Sequence, residues 1–208
     1  MKGRFITFEG VEGSGKSTQI RILTQFLEGQ GFEVVLTREP GGTPISDKIR
    51  DLLLDVENKE MKPTTELLLY AASRSQHVEE KILPALKQGK VVICDRFADS
   101  TVAYQGFARG IDRKLIDQCI LLATGGVKPD LTFVLDMPVE IGRERASRRG
   151  VDRMEQEEVE FHEKVRGAFL EIAKEEPERV IVVDADCSID ELSEKLQKIM
   201  KERMKEWH

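Results

Sequence analysis

The sequence predicts an α/β fold of three layers, in which a five-stranded parallel sheet carries helices on both of its faces. Two observations lead to this prediction. Short apolar runs alternate along the chain with segments whose apolar residues recur at helical spacing. A glycine-rich segment separates the first apolar run from the first helical segment, which is typical of a strand–loop–helix unit that binds a ligand.

Five apolar runs predict the strands, at residues 5–8, 34–36, 91–94, 131–135 and 180–183. The runs are short and continuously apolar, as in strands that are covered on both faces. Because a helical segment separates each run from the next, the strands are expected to pair in parallel. Ligands of such sheets bind beyond the carboxyl ends of the strands. We therefore expect functional residues directly after the first four strands.

Apolar residues three and four positions apart predict the helices. The first extends from Ile20 to Leu27 and ends at the glycines 29 and 31. The second covers residues 64–86, with an interruption at Pro84. Three further helices are predicted at residues 112–123, 159–173 and 189–199.

Length and composition exclude several classes of protein. The 208 residues are expected to form one domain over residues 1–208. The chain has 32 Lys and Arg residues against 38 Asp and Glu residues, and the net charge of −6 argues against a nucleic-acid partner. No apolar run reaches the ~18 residues that span a bilayer, and the N-terminal residues lack the apolar stretch of a signal peptide, so we expect no membrane partner. The three cysteines form no Cys-x-x-Cys pair, which favours reduced thiols and a cytoplasmic location.

The segment after the first strand matches the phosphate-binding pattern G-x-x-x-x-G-K-[ST]. Its glycines let backbone N–H groups turn towards phosphate oxygens, and the following helix adds its dipole. Lys16 is expected to reach the outer phosphates as a catalytic cation, and the Ser17 hydroxyl is a ligand for Mg²⁺. The pattern predicts a P-loop NTPase fold that binds ATP. The predicted ATP-binding residues are Gly10, Val11, Glu12, Gly13, Ser14, Gly15, Lys16, Ser17 and Thr18.

Charged residues follow the second and third strands. Asp95 fits the acid on the Mg²⁺ side of the phosphate loop, and Arg96 adds a positive charge beside it. Arg38 stands at the end of the second strand. Two arginines at neighbouring strand ends, together with a phosphate loop, predict phosphoryl transfer to an acceptor that already carries a phosphate. The sequence lacks the guanine-reading pattern Asn-Lys-x-Asp, which argues against a GTP-dependent switch.

Arginines are concentrated between residues 143 and 153. We expect a small lid over residues 143–155 that closes on the transferred phosphoryl group. Arg148, Arg149 and Arg153 flank Gly150 and are expected to supply catalytic positive charge. The remaining arginines of this segment, at positions 143 and 145, fit a solvated helix face equally well.

Three further motifs accompany the phosphate loop: Thr-Arg-Glu-Pro-Gly-Gly at 37–42, Asp-Arg-Phe at 95–97 and Ser-Thr-x-x-Tyr-Gln-Gly at 100–106. In this order and spacing they resemble the motifs of thymidylate kinases. The resemblance implies phosphorylation of dTMP to dTDP by ATP with Mg²⁺, in a homodimer. Helical residues 67–70 and 120–123 are candidates both for the dimer surface and for the core. Two alternatives stay open: a kinase for another nucleoside monophosphate, and an ATP-binding switch without turnover.

The resemblance also implies an acceptor site. The family's phosphate-holding arginines match Arg38 and Arg96, its thymine-carbonyl ligand matches Arg74, and its aromatic next to the sugar 2′ position matches Tyr104. Tyr70 stands where the family usually stacks a Phe on the base. The implied dTMP-binding residues are Glu12, Arg38, Tyr70, Arg74, Arg96, Ser100, Thr101, Tyr104 and Gln105.

The phosphate loop contains no arginine, so the resemblance assigns the catalytic charge to the lid, as in the bacterial-type arrangement. Three acids follow the lid, and one of them is expected to serve Mg²⁺ or the sugar. They are Glu155, Glu157 and Glu158.

Overall fold

A computed structural model describes residues 3–146 and 152–207 of the chain. It contains a sheet of five parallel strands in the order β2-β3-β1-β4-β5, which confirms the predicted fold class. The strands are β1 (Arg4–Glu9), β2 (Val34–Arg38), β3 (Val91–Asp95), β4 (Leu131–Asp136) and β5 (Val180–Asp184). Because β1 lies in the centre of the sheet, the loop that follows it lies between the ends of β3 and β4.

Nine α-helices lie within the described residues. They are α1 (Lys16–Gly29), α2 (Pro44–Leu54), α3 (Pro63–His77), α4 (Leu83–Lys87), α5 (Ala98–Thr101), α6 (Arg113–Thr124), α7 (Val139–Ala146), α8 (Val159–Glu175) and α9 (Ile189–Met204). Two π-helical segments, Val78–Ile82 and Val102–Ala108, continue α3 and α5. The helices α2, α5 and α7 were not predicted. Helices α5 and α7 are short, but α2 has apolar residues at helical spacing, at positions 45, 49, 52 and 53, and could have been predicted.

Local signals explain where several helices begin and end. The Asp112 side chain accepts hydrogen bonds from the first turn of α6, and Gly125 ends that helix in the left-handed region at φ 59°. Ser188 and Glu191 form a reciprocal capping box at the start of α9. Thr43 caps α2 through the backbone N–H of Ser46. These caps satisfy backbone donors that helix ends otherwise leave unpaired.

The two faces of the sheet carry separate apolar cores, as a three-layer fold requires. Successive side chains of β1 point in opposite directions, so Ile6 and Phe8 pack on one face and Phe5 on the other. The first face is covered by α1 and α9, which contribute Leu23, Leu27, Leu196 and Met200. The second face is covered by the segments that contain Val78, Ile82, Phe97, Val165 and Phe169.

None of the helices within residues 3–146 and 152–207 combines the length and the apolarity that crossing a membrane requires. The three cysteines are free thiols, of which Cys94 is buried in the core and Cys119 and Cys187 are half-buried.

Two adjacent leucines of α2 test the account of the core. Leu53 is fully buried, whereas Leu52 is 53 % exposed. We expect Leu53→Ala to lower the free energy of unfolding by about 2–5 kcal/mol, because it leaves a cavity. The control Leu52→Ala should change it by about 0.5 kcal/mol or less. Urea unfolding of both variants measures the difference, and equal losses would contradict the assignment of Leu53 to the core.

Candidate active site

A cleft of about 710 Å³ opens at the carboxyl edge of the sheet, where the sequence placed the ligand. Most of the predicted residues line it. They are Glu12, Gly13, Ser14, Gly15, Lys16, Ser17 and Thr18 of the phosphate loop, Arg38, Tyr70, Arg74, Asp95 and Arg96, and Ser100, Thr101, Tyr104 and Gln105. Gly10 and Val11 lie behind this surface and are not part of the lining.

The phosphate loop curls around the side chain of Lys16. The ammonium group donates to the carbonyl oxygens of Gly10 at 3.0 Å and Val11 at 2.9 Å. Gly13 has a φ of +74°, and a Cβ at this position would lie 2.0 Å from the carbonyl oxygen of Gly142 in α7. The close approach of these two backbones therefore requires glycine. It also places α7 directly against the loop.

Ser17 and Asp95 bring two oxygen ligands together. The Ser17 hydroxyl donates to Asp95 Oδ2 at 3.2 Å, across the ends of α1 and β3. A hydroxyl and a carboxylate are ligands that suit Mg²⁺. No cluster of three or more His, Cys, Asp or Glu side chains that could hold a metal occurs in the described part of the chain. Mg²⁺ in proteins usually takes its remaining ligands from phosphate oxygens and water.

Arg96 projects into the cleft from a left-handed backbone conformation. Its φ is +69°, which is uncommon for a residue other than glycine. The guanidinium forms an ion pair with Glu12 of the phosphate loop, donates to the Ser100 hydroxyl at 3.4 Å, and lies 5.3 Å from the centre of the Tyr104 ring. Burial alone would raise the pKa of Glu12, but Lys16 and Arg96 lower it to about 2. The Glu12 carboxylate is therefore ionised and holds the guanidinium in place.

Glu9, at the end of β1, does not line the cleft but contacts residues that do, and it was not predicted from the sequence. Its buried carboxylate accepts hydrogen bonds from Phe97 N at 2.8 Å and Ser100 Oγ at 2.6 Å. It lies 3.9 Å from the guanidinium of Arg96. Burial and the nearby Asp99 carboxylate raise the pKa of Glu9 to about 7. Its place as the last residue of a buried strand, directly before the phosphate loop, was the available signal.

Arg74 is held rigidly in the wall of the cleft. The side chain is 2 % exposed and donates to Glu39 at 2.7 Å, Thr101 Oγ1 at 2.8 Å and the carbonyl oxygen of Phe97 at 3.0 Å. The second carboxylate oxygen of Glu39 pairs with His77 Nδ1 at 2.9 Å. Since a guanidinium has five N–H groups, these bonds leave two of them for a ligand.

The arginines Arg38, Arg50 and Arg96 all line the cleft, and of these only Arg50 was not predicted from the sequence. Arg38 is half-exposed and pairs with Asp47 at 3.0 Å. Arg50 of α2 also lines the cleft and donates to the carbonyl oxygen of Pro40 at 2.8 Å. Arg50 was missed because α2 itself was not predicted.

The structure corrects the interpretation of Arg153. We expected a lid cation that reaches the transferred phosphoryl group, but its guanidinium is buried and pairs with Glu66 at 2.7 Å and with the carbonyl oxygen of Leu53 at 2.8 Å. It does not line the cleft. The sequence alone could not show that Glu66, 87 positions earlier in the chain, supplies the partner. Arg148 and Arg149 lie outside the described residues.

The acids after the lid have separate places. Glu155 lines the cleft, Glu157 pairs with Arg109 at 2.6 Å, and Glu158 precedes the first turn of α8. Arg145 also lines the cleft and pairs with Asp186 at 3.4 Å.

A further part of the wall follows β5, where we predicted no site residues. It consists of Ala185, Cys187, Ser188 and Ile189. The rule that ligands bind after parallel strands applies to the fifth strand as well as to the first four, so these residues could have been predicted.

Comparison with known proteins identifies the family. A family model described as thymidylate kinase matches residues 8–196. The chain belongs to the thymidylate kinase family. The thymidylate kinase of Pelobacter propionicus is 55% identical over 199 residues, which cover 92% of this chain and 91% of the relative. The thymidylate kinase of Geotalea uraniireducens is 54% identical and covers 91% and 92% of the two chains.

A solved structure of a thymidylate kinase has the same fold as this chain. The crystal structure of the thymidylate kinase from Ehrlichia chaffeensis superposes with a TM-score of 0.80 at 37% identity. The match covers 96% of this chain and all of that chain. The family resemblance read from the motifs is thus confirmed.

Glu9 is expected to link the stability of this kinase to pH. Its folded pKa of about 7 lies above the ordinary value of 4.5, so the folded state binds the proton more tightly than the unfolded state. The stability that protonated Glu9 contributes is fully present below about pH 4.5 and is lost as the pH rises through about 7. Compared with Glu9→Gln, the wild type should therefore lose up to about 3 kcal/mol of unfolding free energy across this window. Urea unfolding at several pH values measures the difference, and a constant difference would contradict the raised pKa.

Proposed function

We propose a role for each residue of the cleft in the reaction of this kinase. The reaction transfers the γ-phosphoryl group of ATP to the 5′-phosphate of dTMP and forms dTDP. The observation that carries the proposal is that the phosphate loop and the arginines Arg38 and Arg96 line one continuous cleft. One end therefore takes the triphosphate of the donor, and the other end takes the monophosphate of the acceptor.

The donor lies along the phosphate loop and the wall after β5. Backbone N–H groups of the loop and the N-terminus of α1 bind the phosphates. In the structure, the ammonium group of Lys16 donates to the carbonyl oxygens of the loop. It turns to the outer phosphates when they are present. Ser17 and Asp95 would hold Mg²⁺, which supplies positive charge to the phosphate oxygens. Arg145 and the residues around Cys187 border the opposite end of the donor site.

The acceptor lies between β3 and α3. Arg38 and Arg96 bind the 5′-phosphate, and Arg74 offers its remaining N–H groups to a carbonyl oxygen of thymine. Tyr70 stacks on the base, Tyr104 packs beside the sugar, and Ser100, Thr101 and Gln105 complete the polar wall. Stacking of a base on an aromatic ring contributes about 1–3 kcal/mol.

The chemistry requires positioning and positive charge more than proton transfer. The attacking oxygen belongs to a phosphate that is already anionic near neutral pH, so no general base is needed. Lys16 and Arg96 neutralise the charge that develops between the two nucleotides. Arg148 and Arg149 are our candidates for additional cations from the lid.

We further propose that the chain forms a homodimer through α3 and α6. These helices pack against each other and expose large leucines, including Leu68 at 58%, Leu121 at 63% and Leu122 at 84%. Neighbouring apolar side chains exposed in this way are typical of protein interfaces. Leu67 and Ala123 of the same helices are buried, so each helix also contributes to the core. The free thiols support our expectation of a cytoplasmic location.

Arg74 is expected to select the base. Arg74→Lys keeps a positive charge beside Glu39 but removes the planar fork that can bond a carbonyl oxygen. The ratio of kcat/KM for dTMP to kcat/KM for dCMP, whose ring carries an amino group in place of one carbonyl, should fall by about tenfold or more. The KM for ATP should stay unchanged.

Lys16→Ala provides the contrast in the same steady-state assay. It should lower kcat for both acceptors by a factor on the order of 10³ and leave the ratio between them unchanged. An unchanged ratio in folded Arg74→Lys would contradict the base-selecting role, and near-normal turnover of Lys16→Ala would contradict the assignment of the phosphate loop.

A further inference from the structure

A buried carboxylate outside the cleft joins the acceptor wall to residues 152–157, which overlap the end of the predicted lid. Glu66 lies in the first turn of α3, is 1 % exposed and does not line the cleft. Its contacts define a group that we call the Glu66 cluster. The cluster consists of Glu66, Gln105, Arg109, Arg153 and Glu157.

Both oxygens of Glu66 accept two hydrogen bonds each. Oε1 accepts from Gln105 Nε2 at 2.8 Å and from Arg109 Nε at 3.2 Å. Oε2 accepts from Arg109 Nη2 at 3.1 Å and from Arg153 Nη2 at 2.7 Å. The carboxylate is thereby saturated by protein donors, so its chemistry fits neither a metal ligand nor a catalytic base.

The charges of the cluster balance. Arg109 also pairs with Glu157 at 2.6 Å, so two guanidinium groups face two carboxylates. Burial alone would raise the pKa of Glu66, but the hydrogen bonds from Arg109 and Gln105 lower it below 4.5. Glu66 is therefore ionised and acts only as an acceptor.

On one side, the Glu66 cluster orients a residue of the acceptor wall, Gln105. Gln105 is 1 % exposed yet contributes to the lining of the cleft. Because the Glu66 carboxylate can only accept, it holds the NH₂ end of the Gln105 amide and so determines which end of that amide is presented elsewhere. Tyr70, which also lines the cleft, lies one turn after Glu66 on the same side of α3.

The other side of the cluster anchors residues 152–157. Arg153 joins Glu66 to the end of α2 through the carbonyl oxygen of Leu53, and its backbone N–H donates to Leu54 at 3.2 Å. Asp152 Oδ1 accepts from the backbone N–H groups of Met154 and Glu155, both at 2.9 Å. The segment is thus a tight turn with two buried side chains, Arg153 and Met154. Its residues Asp152, Met154 and Glu155 contribute to the lining of the cleft.

We infer that Glu66 is a positioning residue of this kinase, which holds Gln105 and the segment 152–157 in their places at the acceptor end of the cleft. The inference rests on the acceptor-site assignment proposed above. A carboxylate that only stabilised the fold would contribute to unfolding free energy without affecting one substrate more than the other. A positioning carboxylate affects the binding of dTMP and leaves that of ATP unchanged.

A double-mutant cycle tests this inference, with Glu66→Gln, Gln105→Ala and the double variant in the full-length enzyme. A Gln side chain keeps the shape but replaces one acceptor oxygen by a donor that opposes the donors already present. Glu66→Gln should raise the KM for dTMP by about tenfold and leave the KM for ATP unchanged. The double variant should raise the KM for dTMP by less than the product of the two single effects, because one part of the effect of Glu66 passes through Gln105 and the other part through residues 152–157. The control Glu79→Gln, at an exposed position shortly after α3, should leave both KM values unchanged.

Three outcomes overturn the inference. An unchanged KM for dTMP in folded Glu66→Gln, beside a raised KM in Gln105→Ala, would leave Glu66 a purely structural role. Single effects that multiply fully in the double variant would show that Glu66 does not position Gln105. An unchanged KM for dTMP in Gln105→Ala would overturn the assignment of Gln105 to the acceptor site, and the inference with it, but not the assignment of the other residues. Circular dichroism at the assay temperature verifies folding. If Glu66→Gln does not fold, Glu66→Asp, which keeps the charge but shortens the side chain, replaces it in the same cycle.

Discussion

The shape of the cleft depends on ion pairs at the ends of β1 and β3, where two carboxylates face one guanidinium group. Glu9 closes β1, the phosphate loop follows with Glu12, and Arg96 leaves β3 in a left-handed conformation that turns its guanidinium towards both acids. The parallel register places Phe8 opposite Asp95. The residues that follow them, Glu9 and Arg96, are therefore brought close together by the pairing of β1 with β3. A cation held in this way is already in position when phosphates arrive, and little energy is needed to organise it.

The same principle recurs in other parts of the molecule. Glu39 holds Arg74, Glu66 holds Arg153, and Asp99 holds Arg179 through two bonds of 2.8 and 2.9 Å. Removing one partner of such a pair leaves a buried charge without compensation, which costs about 3–5 kcal/mol. Although the chain carries a net charge of −6, its cleft is lined by several cations that neighbouring groups hold in place.

The sheet and the phosphate loop could be predicted because they depend on local patterns, whereas most of the acceptor wall came from the resemblance of the motifs to those of thymidylate kinases. Continuous apolar runs identified all five strands. The phosphate loop at residues 10–17 was identified from its own motif and from the strand and helix next to it. Residues whose role depends on a distant partner were not predictable. Arg153 has the local context of a lid arginine, but Glu66 binds it from another helix. Glu9 and Arg50 were missed for different reasons. The place of Glu9 directly before the phosphate loop was a usable signal that was not considered, and Arg50 lies in a helix that was not predicted.

The activity expected of this cleft is phosphorylation of dTMP by ATP. The most direct measurement is release of ADP from Mg²⁺-ATP in a coupled assay, with dTMP, dUMP, UMP, dCMP, AMP and GMP compared as acceptors at equal concentration. The account predicts rapid turnover with dTMP and much slower turnover with the other monophosphates. Faster turnover with another monophosphate would contradict the acceptor site, and no turnover with any of them would contradict the kinase chemistry itself.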